Sequence, residues 1–77
     1  MSNQQFGERL HQLRKKKGIT QMKIAFDLHF TQNSISQFEN GKRHPDYNTL
    51  ILIADYFDVS IDYLLKRTDD PTSHKNK

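Results

Sequence analysis

Apolar side chains recur at helical spacing along most of the chain. Near its start, Phe6, Leu10 and Leu13 are separated by four and three residues, so they share one face of a helix predicted over residues 4–17. Gly18 is the expected C-cap, because glycine readily adopts the left-handed conformation in which many helices end. No segment shows the alternation of period two that is typical of a strand, so the pattern predicts an all-α fold.

Residues 20–41 contain two helical stripes separated by a short break. The first stripe consists of Ile24, Ala25 and Leu28, and the second consists of Ile35 and Phe38. The break falls at His29 and Phe30, which predicts two short helices meeting at a tight turn. Ala25 lies where two such helices pack most closely, and a larger side chain there would push them apart.

Polar residues mark the starts of the later helices. Thr20 and Thr31 are the expected N-caps of a second helix over residues 21–28 and a third that runs to about residue 40. Asp46 caps a fourth helix over residues 47–57, and a short fifth helix follows it. The inward-facing positions of these last two helices are predicted to be Tyr47, Leu50, Ile53, Ala54, Phe57, Ile61, Leu64 and Leu65.

Length and composition restrict the chain to one small domain. Its 77 residues leave room for a single modest core, predicted over residues 1–67. The polar segment 68–77, TDDPTSHKNK, has no apolar anchor and is predicted to be a disordered tail. There is no cysteine, no signal segment and no apolar run of the roughly 20 residues that span a bilayer, so a cytoplasmic protein is expected.

Positive charge is concentrated in the part of the chain that contains the two-helix pattern. The formal net charge is +3, but residues 1–45 hold eight Lys or Arg against three acidic residues, whereas residues 46–77 hold four against six. A polyanion would therefore be attracted to the first part of the chain. Taken alone, the lysine run at residues 15–17 is equally consistent with a solvated helix face.

The third helix has a second face of side chains that both donate and accept hydrogen bonds. This face contains Gln32, Asn33, Ser36, Gln37 and Asn40. Such side chains suit the donor and acceptor pattern along the edges of base pairs. Solvated helix faces are generally richer in the stronger helix formers Lys and Glu, so contact with bases is the favoured interpretation.

Four stretches of the sequence resemble one family. FGERL and LRKKKGITQ lie in the first part, TQNSISQFENGKRHP covers the third helix and its loop, and TLILIADYFDVSIDYLL covers the last helices. From about Phe6 to Leu65 the chain resembles the Cro/C1-type (XRE) helix-turn-helix regulators. The resemblance implies a five-helix, lambda-repressor-like domain and a sequence-specific regulator of transcription that binds double-stranded DNA, expected to be a repressor.

The resemblance also implies contact residues, because the family places its third helix in the major groove. The positions that would face base edges are Gln32, Asn33, Ser36 and Gln37. The positions that would contact phosphate are Gln21, Thr31, Ser34, Asn40, Lys42 and Arg43. Phosphate contacts set position and affinity, whereas base contacts set sequence preference.

Two positions depart from the family pattern, and one pair agrees with it. The turn residue is usually glycine but here is His29, and the next is usually a small aliphatic residue but here is Phe30. A left-handed residue other than glycine costs about 1–2 kcal/mol, and the two changes are expected to shift the angle between the helices slightly. The family pairs the positions of Arg14 and Glu39, which implies a semi-buried ion pair.

A second apolar pair on the fourth helix predicts an assembly surface. Leu52 and Tyr56 lie four residues apart beside the inward stripe, and Tyr63 of the fifth helix is expected to lie near them. Regulators of this type pair across a two-fold axis, so a homodimer on a palindromic operator is expected. The alternative is a slightly apolar monomer surface.

Other classes of function fit the sequence less well. A protein-interaction module, such as an antitoxin or a phage-regulator subunit, remains an alternative, because such proteins often keep a DNA-binding motif. An enzyme is not expected, since there is no nucleophile–base pair, metal set or glycine-rich phosphate loop. The four histidines are scattered, so neither a metal site nor a cofactor is expected.

Overall fold

The computed structural model describes residues 3–72, with side chains from residue 5 onward, and this part of the chain contains five helices and no strand. The helices are α1 (Asn3–Lys17), α2 (Gln21–Leu28), α3 (Gln32–Glu39), α4 (Tyr47–Phe57) and α5 (Ile61–Leu64). The all-α prediction is confirmed. The predicted bounds of the second and fourth helices match the structure, and the third helix ends one residue earlier than predicted.

Side chains cap the start of each helix after the first. Thr20, Thr31 and Asp46 each accept a hydrogen bond from the backbone N–H group three residues later, at 3.0, 3.0 and 2.8 Å. Ser60 does the same for α5 at 3.0 Å. Each bond satisfies a donor that the start of a helix leaves unpaired, which is why these short polar residues predict helix starts.

One hydrophobic core is shared by all five helices. Its buried side chains are Phe6, Leu10, Ile24, Ala25, Ile35, Phe38, Ile53, Ala54 and Leu64. The rings of Phe6 and Phe38 meet edge to face with centroids 5.9 Å apart, so they join α1 to α3. Ala25 is 3% exposed, in agreement with its predicted place between closely packed helices.

Tyr47 does not take part in this core, and the prediction that it faces inward was wrong. Its side chain is 72% exposed. Tyr47 is the first residue of α4, and the next residue, Asn48, is exposed as well. The buried face of α4 begins instead at Thr49, which is 8% exposed.

Helices α1 and α3 approach each other closely at Gly7. A Cβ atom placed on Gly7 would lie 2.4 Å from the carbonyl oxygen of Phe38 and 2.7 Å from that of Glu39. These distances are too short for any side chain, so the missing Cβ allows the two backbones to meet. Gly7 therefore determines how near the end of α3 lies to α1.

The turn between α2 and α3 adopts the left-handed conformation at His29, with φ 63° and ψ 37°. The N–H group of Phe30, the next residue, donates to the carbonyl oxygen of Ala25 at 2.8 Å and closes the end of α2. A residue with a Cβ atom is strained in this conformation, as the sequence predicted for this position.

Replacing His29 by glycine is expected to raise the free energy of unfolding by about 1 kcal/mol, because glycine adopts a positive φ without strain. Chemical denaturation of His29→Gly and the parent protein measures the change. His44→Gly is the matched control, since His44 lies in a loop and has no positive φ. An equal gain in both variants would contradict the strain at His29.

The first residues of the predicted tail lie against the domain. The backbone N–H group of Ser60 donates to the carbonyl oxygen of Pro71 at 3.1 Å, and Arg9 contacts the carboxylate of Asp69 at 3.5 Å. The chain therefore stays in contact with α1 and with the start of α5 beyond residue 67. The prediction of disorder for residues 73–77 lies outside the described residues.

Candidate nucleic-acid interface

The α2–turn–α3 unit is held together by apolar contacts on its inner side. Ile24 and Ile35 are fully buried, and Phe38 is 2% exposed. The ring of Phe30, the unusual turn residue, packs edge to face on Phe38 with centroids 6.2 Å apart. Phe30 thus adds to the core at the turn, and the outer face of α3 is left for other contacts.

An ion pair joins α1 to the end of α3. Arg14 Nε donates to Glu39 Oε2 at 2.6 Å, and Arg14 Nη2 donates to Glu39 Oε1 at 3.1 Å. The two side chains are only 10% and 4% exposed. The semi-buried pair that the family resemblance implies is confirmed, and its two-point geometry fixes the direction of both side chains.

The Glu39 carboxylate has further partners that sequence reasoning missed. Gln21 Nε2 donates to Glu39 Oε1 at 3.1 Å, and His11 Nδ1 lies 3.1 Å from the same oxygen. Burial raises the pKa of the Glu39 carboxyl, but the hydrogen bonds from Arg14, Gln21 and His11 outweigh burial and hold this pKa below its usual value. Glu39 is therefore a charged acceptor around which α1, α2 and α3 meet.

The predicted base-contacting residues lie along α3 with few internal partners. Gln32 and Asn33 are exposed, whereas Ser36 and Gln37 are partly buried. Gln32 Nε2 donates to Gln21 Oε1 at 3.4 Å, and Ser36 accepts a hydrogen bond of the same length from Asn40. The structure thus brings predicted base contacts next to predicted phosphate contacts.

A second group of predicted phosphate contacts forms one cluster at the start of α3. Arg43 Nη1 donates to Ser34 Oγ at 2.8 Å, and the Thr31 hydroxyl donates to the same oxygen at 3.0 Å. The Arg43 guanidinium also lies 5.2 Å from the centre of the Phe38 ring. The neighbouring Lys42 is exposed, so two basic side chains flank the polar face of α3.

The three residues predicted for a dimer interface have different surroundings. Leu52 is 46% exposed. The Tyr56 hydroxyl donates to Asp27 on α2 at 2.6 Å, and burial together with this bond raises the pKa of Tyr56 to about 12. The ring of Tyr63 lies against α1, with the Arg9 guanidinium 3.8 Å from its centre.

Two exposed apolar side chains on α2 were not among the predicted site residues. Met22 is 66% exposed and Phe26 is 79% exposed, more than Leu52. Met22 and Phe26 are four residues apart and lie outside the stripe of Ile24, Ala25 and Leu28. This spacing places them on one face of α2, so the sequence alone could have predicted an exposed apolar pair. Within residues 5–72, no group of three His, Asp or Glu side chains lies close enough to hold a metal ion.

Comparison with known proteins agrees with this geometry. The chain matches the model of a family described as a helix-turn-helix domain over residues 7–70. The chain belongs to this helix-turn-helix family. It is similar to the HTH-type transcriptional regulator YqaE of Bacillus subtilis, with 48% identity over 61 residues, which are 79% of this chain and 53% of YqaE. The chain thus spans about half the length of this curated relative, as it does for ImmR of the same organism, of which it covers 54%.

Solved helix-turn-helix domains have the same architecture. The DNA-binding domain of the P22 C2 repressor is 33% identical, with a TM-score of 0.75, and the match covers 86% of this chain and 87% of that domain. The restriction-modification controller protein C.AhdI of Aeromonas hydrophila is 27% identical, with a TM-score of 0.74, and the match covers 80% and 94%. The five-helix, lambda-repressor-like fold and the Cro/C1-type resemblance are confirmed. Across the described residues, every helix is too short or too polar to cross a lipid bilayer.

Proposed function

We propose that this helix-turn-helix domain is a sequence-specific, double-stranded DNA-binding regulator of transcription that works in the cytoplasm as a repressor. The observation that carries the proposal is the polar face of α3. Gln32 and Asn33 are exposed there, and Arg43 is held beside it by Ser34. Amide side chains suit base edges in the major groove, and the neighbouring cation suits the phosphate backbone.

Selection of bound sites from random duplex DNA tests the proposal. One preferred sequence is expected, since α3 offers several amide and hydroxyl groups that distinguish base pairs. Duplex DNA is expected to bind more tightly than single strands, because the groove geometry exists only in the duplex. A protein-interaction module without a DNA function would enrich no duplex sequence, which would refute the proposal.

Base contacts and phosphate contacts are expected to respond differently to substitution. Gln32→Ala or Gln37→Ala is expected to cost about 1–3 kcal/mol of binding free energy on the selected site and to relax base preference. Lys42→Ala is expected to weaken binding to all duplexes by a similar factor, because phosphate contacts carry no sequence information. Titration of each variant with the selected duplex and a scrambled duplex measures both effects. An unchanged selected site for both glutamine variants would contradict the orientation assigned to α3.

We also propose that two copies bind a palindromic operator as a homodimer, because one such domain covers only half of a useful site. Of the residues predicted for the interface, Leu52 is the exposed one, while the Tyr56 hydroxyl is engaged by Asp27. A substitution at Leu52 therefore tests the surface without breaking the Tyr56–Asp27 bond. The proposed interface consists of α4 and α5, so that both copies keep α3 free.

Leu52→Glu is expected to give a folded monomer with much weaker binding to the full operator, because a buried charge at the interface opposes dimer formation. Sedimentation of the protein alone and on operator DNA measures the assembly. Asn48→Glu is the charge-matched control, since Asn48 is also an exposed residue of α4. A parent protein that stays monomeric at high micromolar concentration and on DNA would refute the dimer.

A further inference from the structure

One hydrogen bond joins the helix-turn-helix unit to the helix that carries the proposed dimer surface. The Tyr56 hydroxyl of α4 donates to Asp27 Oδ2 of α2 at 2.6 Å, across 29 positions of the sequence. Helix α3 packs on α1 and α2, whereas α4 packs on α5, and the backbones of α2 and α4 approach each other at few points. The bond is therefore a direct link between two parts of the domain that otherwise meet through α1 and the shared core.

Both groups of this bond have the protonation state that it needs at neutral pH. Burial and the hydrogen bond to Asp27 raise the pKa of Tyr56 to about 12, so the hydroxyl remains a donor. The hydrogen bond from Tyr56 lowers the pKa of Asp27 below its ordinary value, so this side chain remains a charged acceptor. Asp27 Oδ1 pairs with Lys23 of the same helix at 3.2 Å. The two oxygens of Asp27 thus have different roles, since one pairs within α2 and the other links α2 to α4.

The link restricts the orientation of α4 relative to α2. Buried Ile53 and Ala54 attach α4 to the core by apolar contacts, which have no preferred direction. A hydrogen bond depends on direction as well as distance, so it opposes a tilt that apolar packing tolerates. In a homodimer built on α4 and α5, this orientation sets the distance and the rotation between the two copies of α3. It therefore determines which half-site spacing both copies reach together.

We infer that Tyr56 and Asp27 are positioning residues that set the half-site spacing of the operator, an inference that rests on the proposed function and its homodimer. One extra base pair between the half-sites moves one of them by about 3.4 Å and turns it by about 35° around the DNA axis. Binding then requires that the DNA is twisted or that α4 tilts against α2, and the tilt breaks the Tyr56–Asp27 bond. The bond thus raises the cost of every spacing except the preferred one.

The substitution Tyr56→Phe tests the link, because it removes the hydroxyl and keeps the ring that packs edge to face on Phe57. Palindromes are built from the half-site that the parent selects, with the preferred spacing and with one base pair more or fewer, and Kd is measured for each. The parent is expected to bind the altered spacings about tenfold more weakly or worse. In Tyr56→Phe this ratio is expected to shrink by about two- to tenfold, the factor that one net hydrogen bond contributes.

Variants of Asp27 separate the link from other effects of the substitution. Asp27→Asn keeps an acceptor oxygen for the Tyr56 hydroxyl and is expected to keep most of the spacing preference. Asp27→Ala is expected to relax the preference as Tyr56→Phe does, and the double variant no further, since all three lose the same bond. Lys23→Ala is the matched control, because it removes the other partner of Asp27 and leaves the bond to α4. Thermal melts and sedimentation verify that each variant folds and forms a dimer.

Several results would overturn the inference. One is a spacing preference as sharp in Tyr56→Phe as in the parent, and another is an equal relaxation in Lys23→Ala. A third is a weaker dimer in Tyr56→Phe with an unchanged spacing preference, because Tyr56 would then act only as an interface residue. If the parent binds palindromes of every spacing equally well, the inference fails while the homodimer stands. If the parent selects a lone half-site, the proposed homodimer fails with it, and if no duplex is selected, the proposed function itself fails.

Discussion

Gly7→Ala is expected to lower the free energy of unfolding by about 1–3 kcal/mol, the usual cost of overpacking. Alanine is the better helix former by about 1 kcal/mol, so an exposed glycine in the same helix would give the opposite sign. At Gly7 the added methyl group would meet the carbonyl oxygens of Phe38 and Glu39 at 2.4 and 2.7 Å. Backbone atoms of a packed helix cannot rotate away, so α1 and α3 have to separate.

Thermal and chemical denaturation of Gly7→Ala measure this loss. Gly18→Ala is the comparison variant: a Cβ atom at Gly18 meets nothing within 4 Å, so its expected loss of about 1–2 kcal/mol comes from the positive φ of 74° alone and leaves the packing of α1 on α3, and DNA binding, unchanged. Gly7→Ala is also expected to weaken DNA binding, since the displaced α1 carries Arg14 away from Glu39. A Gly7→Ala protein as stable as the parent would contradict the close approach of α1 and α3.

The helices could be predicted largely from local features of the sequence. Thr20 and Asp46 start helices because their side chains accept bonds from nearby backbone N–H groups, and these contacts span only three residues. The stripe of α2 that packs in the core follows in the same way from the spacing of Ile24, Ala25 and Leu28. Such features depend on neighbouring residues alone, so they can be predicted without knowledge of the tertiary structure.

Several features that depend on contacts between distant segments were not predicted from the sequence. The Tyr56–Asp27 bond joins residues 29 positions apart, and the Gln21–Glu39 bond joins residues 18 apart. Tyr47 has the helical spacing of a core residue, yet its side chain is exposed, and the buried face of α4 begins two residues later at Thr49. From the sequence, Gly7 only lowers the helix propensity of α1. Its packing role appears only when the structure shows the carbonyl oxygens of α3 beside it.

The candidate site was predicted from two kinds of information. The polar face of α3 follows from its own sequence, because Gln32 and Asn33 lie off the buried stripe. The Arg14–Glu39 pair came only from the family resemblance, since nothing local relates residues 25 positions apart. The roles of the proposed contact residues remain predictions, because they depend on a bound duplex.

Glu39→Ala is expected to cost about 3–5 kcal/mol of the free energy of unfolding, because it leaves Arg14 buried without its partner. The structure supports this magnitude, since the Arg14 side chain is 10% exposed and makes two bonds to Glu39. Loss of the carboxylate also frees Gln21 and His11 from their shared acceptor. In a domain of this size the change is a large fraction of the total stability.

The contribution of Glu39 is also expected to depend on pH in a definite direction. The pKa of its carboxyl is lower in the folded protein than the ordinary value of 4.5, so the folded state favours the charged form. Its stabilising effect is therefore complete above the unfolded-state pKa, and it is lost as the pH falls through the lower folded-state pKa. The free energy of unfolding is measured by denaturation at neutral pH and again in this acid range. The parent is expected to lose more of it between the two conditions than Glu39→Ala does.

Replacement of both partners separates the cost of an unpaired charge from the value of the pair. The double variant Arg14→Met with Glu39→Leu is expected to recover most of the stability that Glu39→Ala loses, because apolar side chains of similar volume leave no buried charge. Circular dichroism melts of the parent, Arg14→Met, Glu39→Leu and the double variant complete the cycle. A Glu39→Ala melt identical to that of the parent would show that the pair does not contribute to stability.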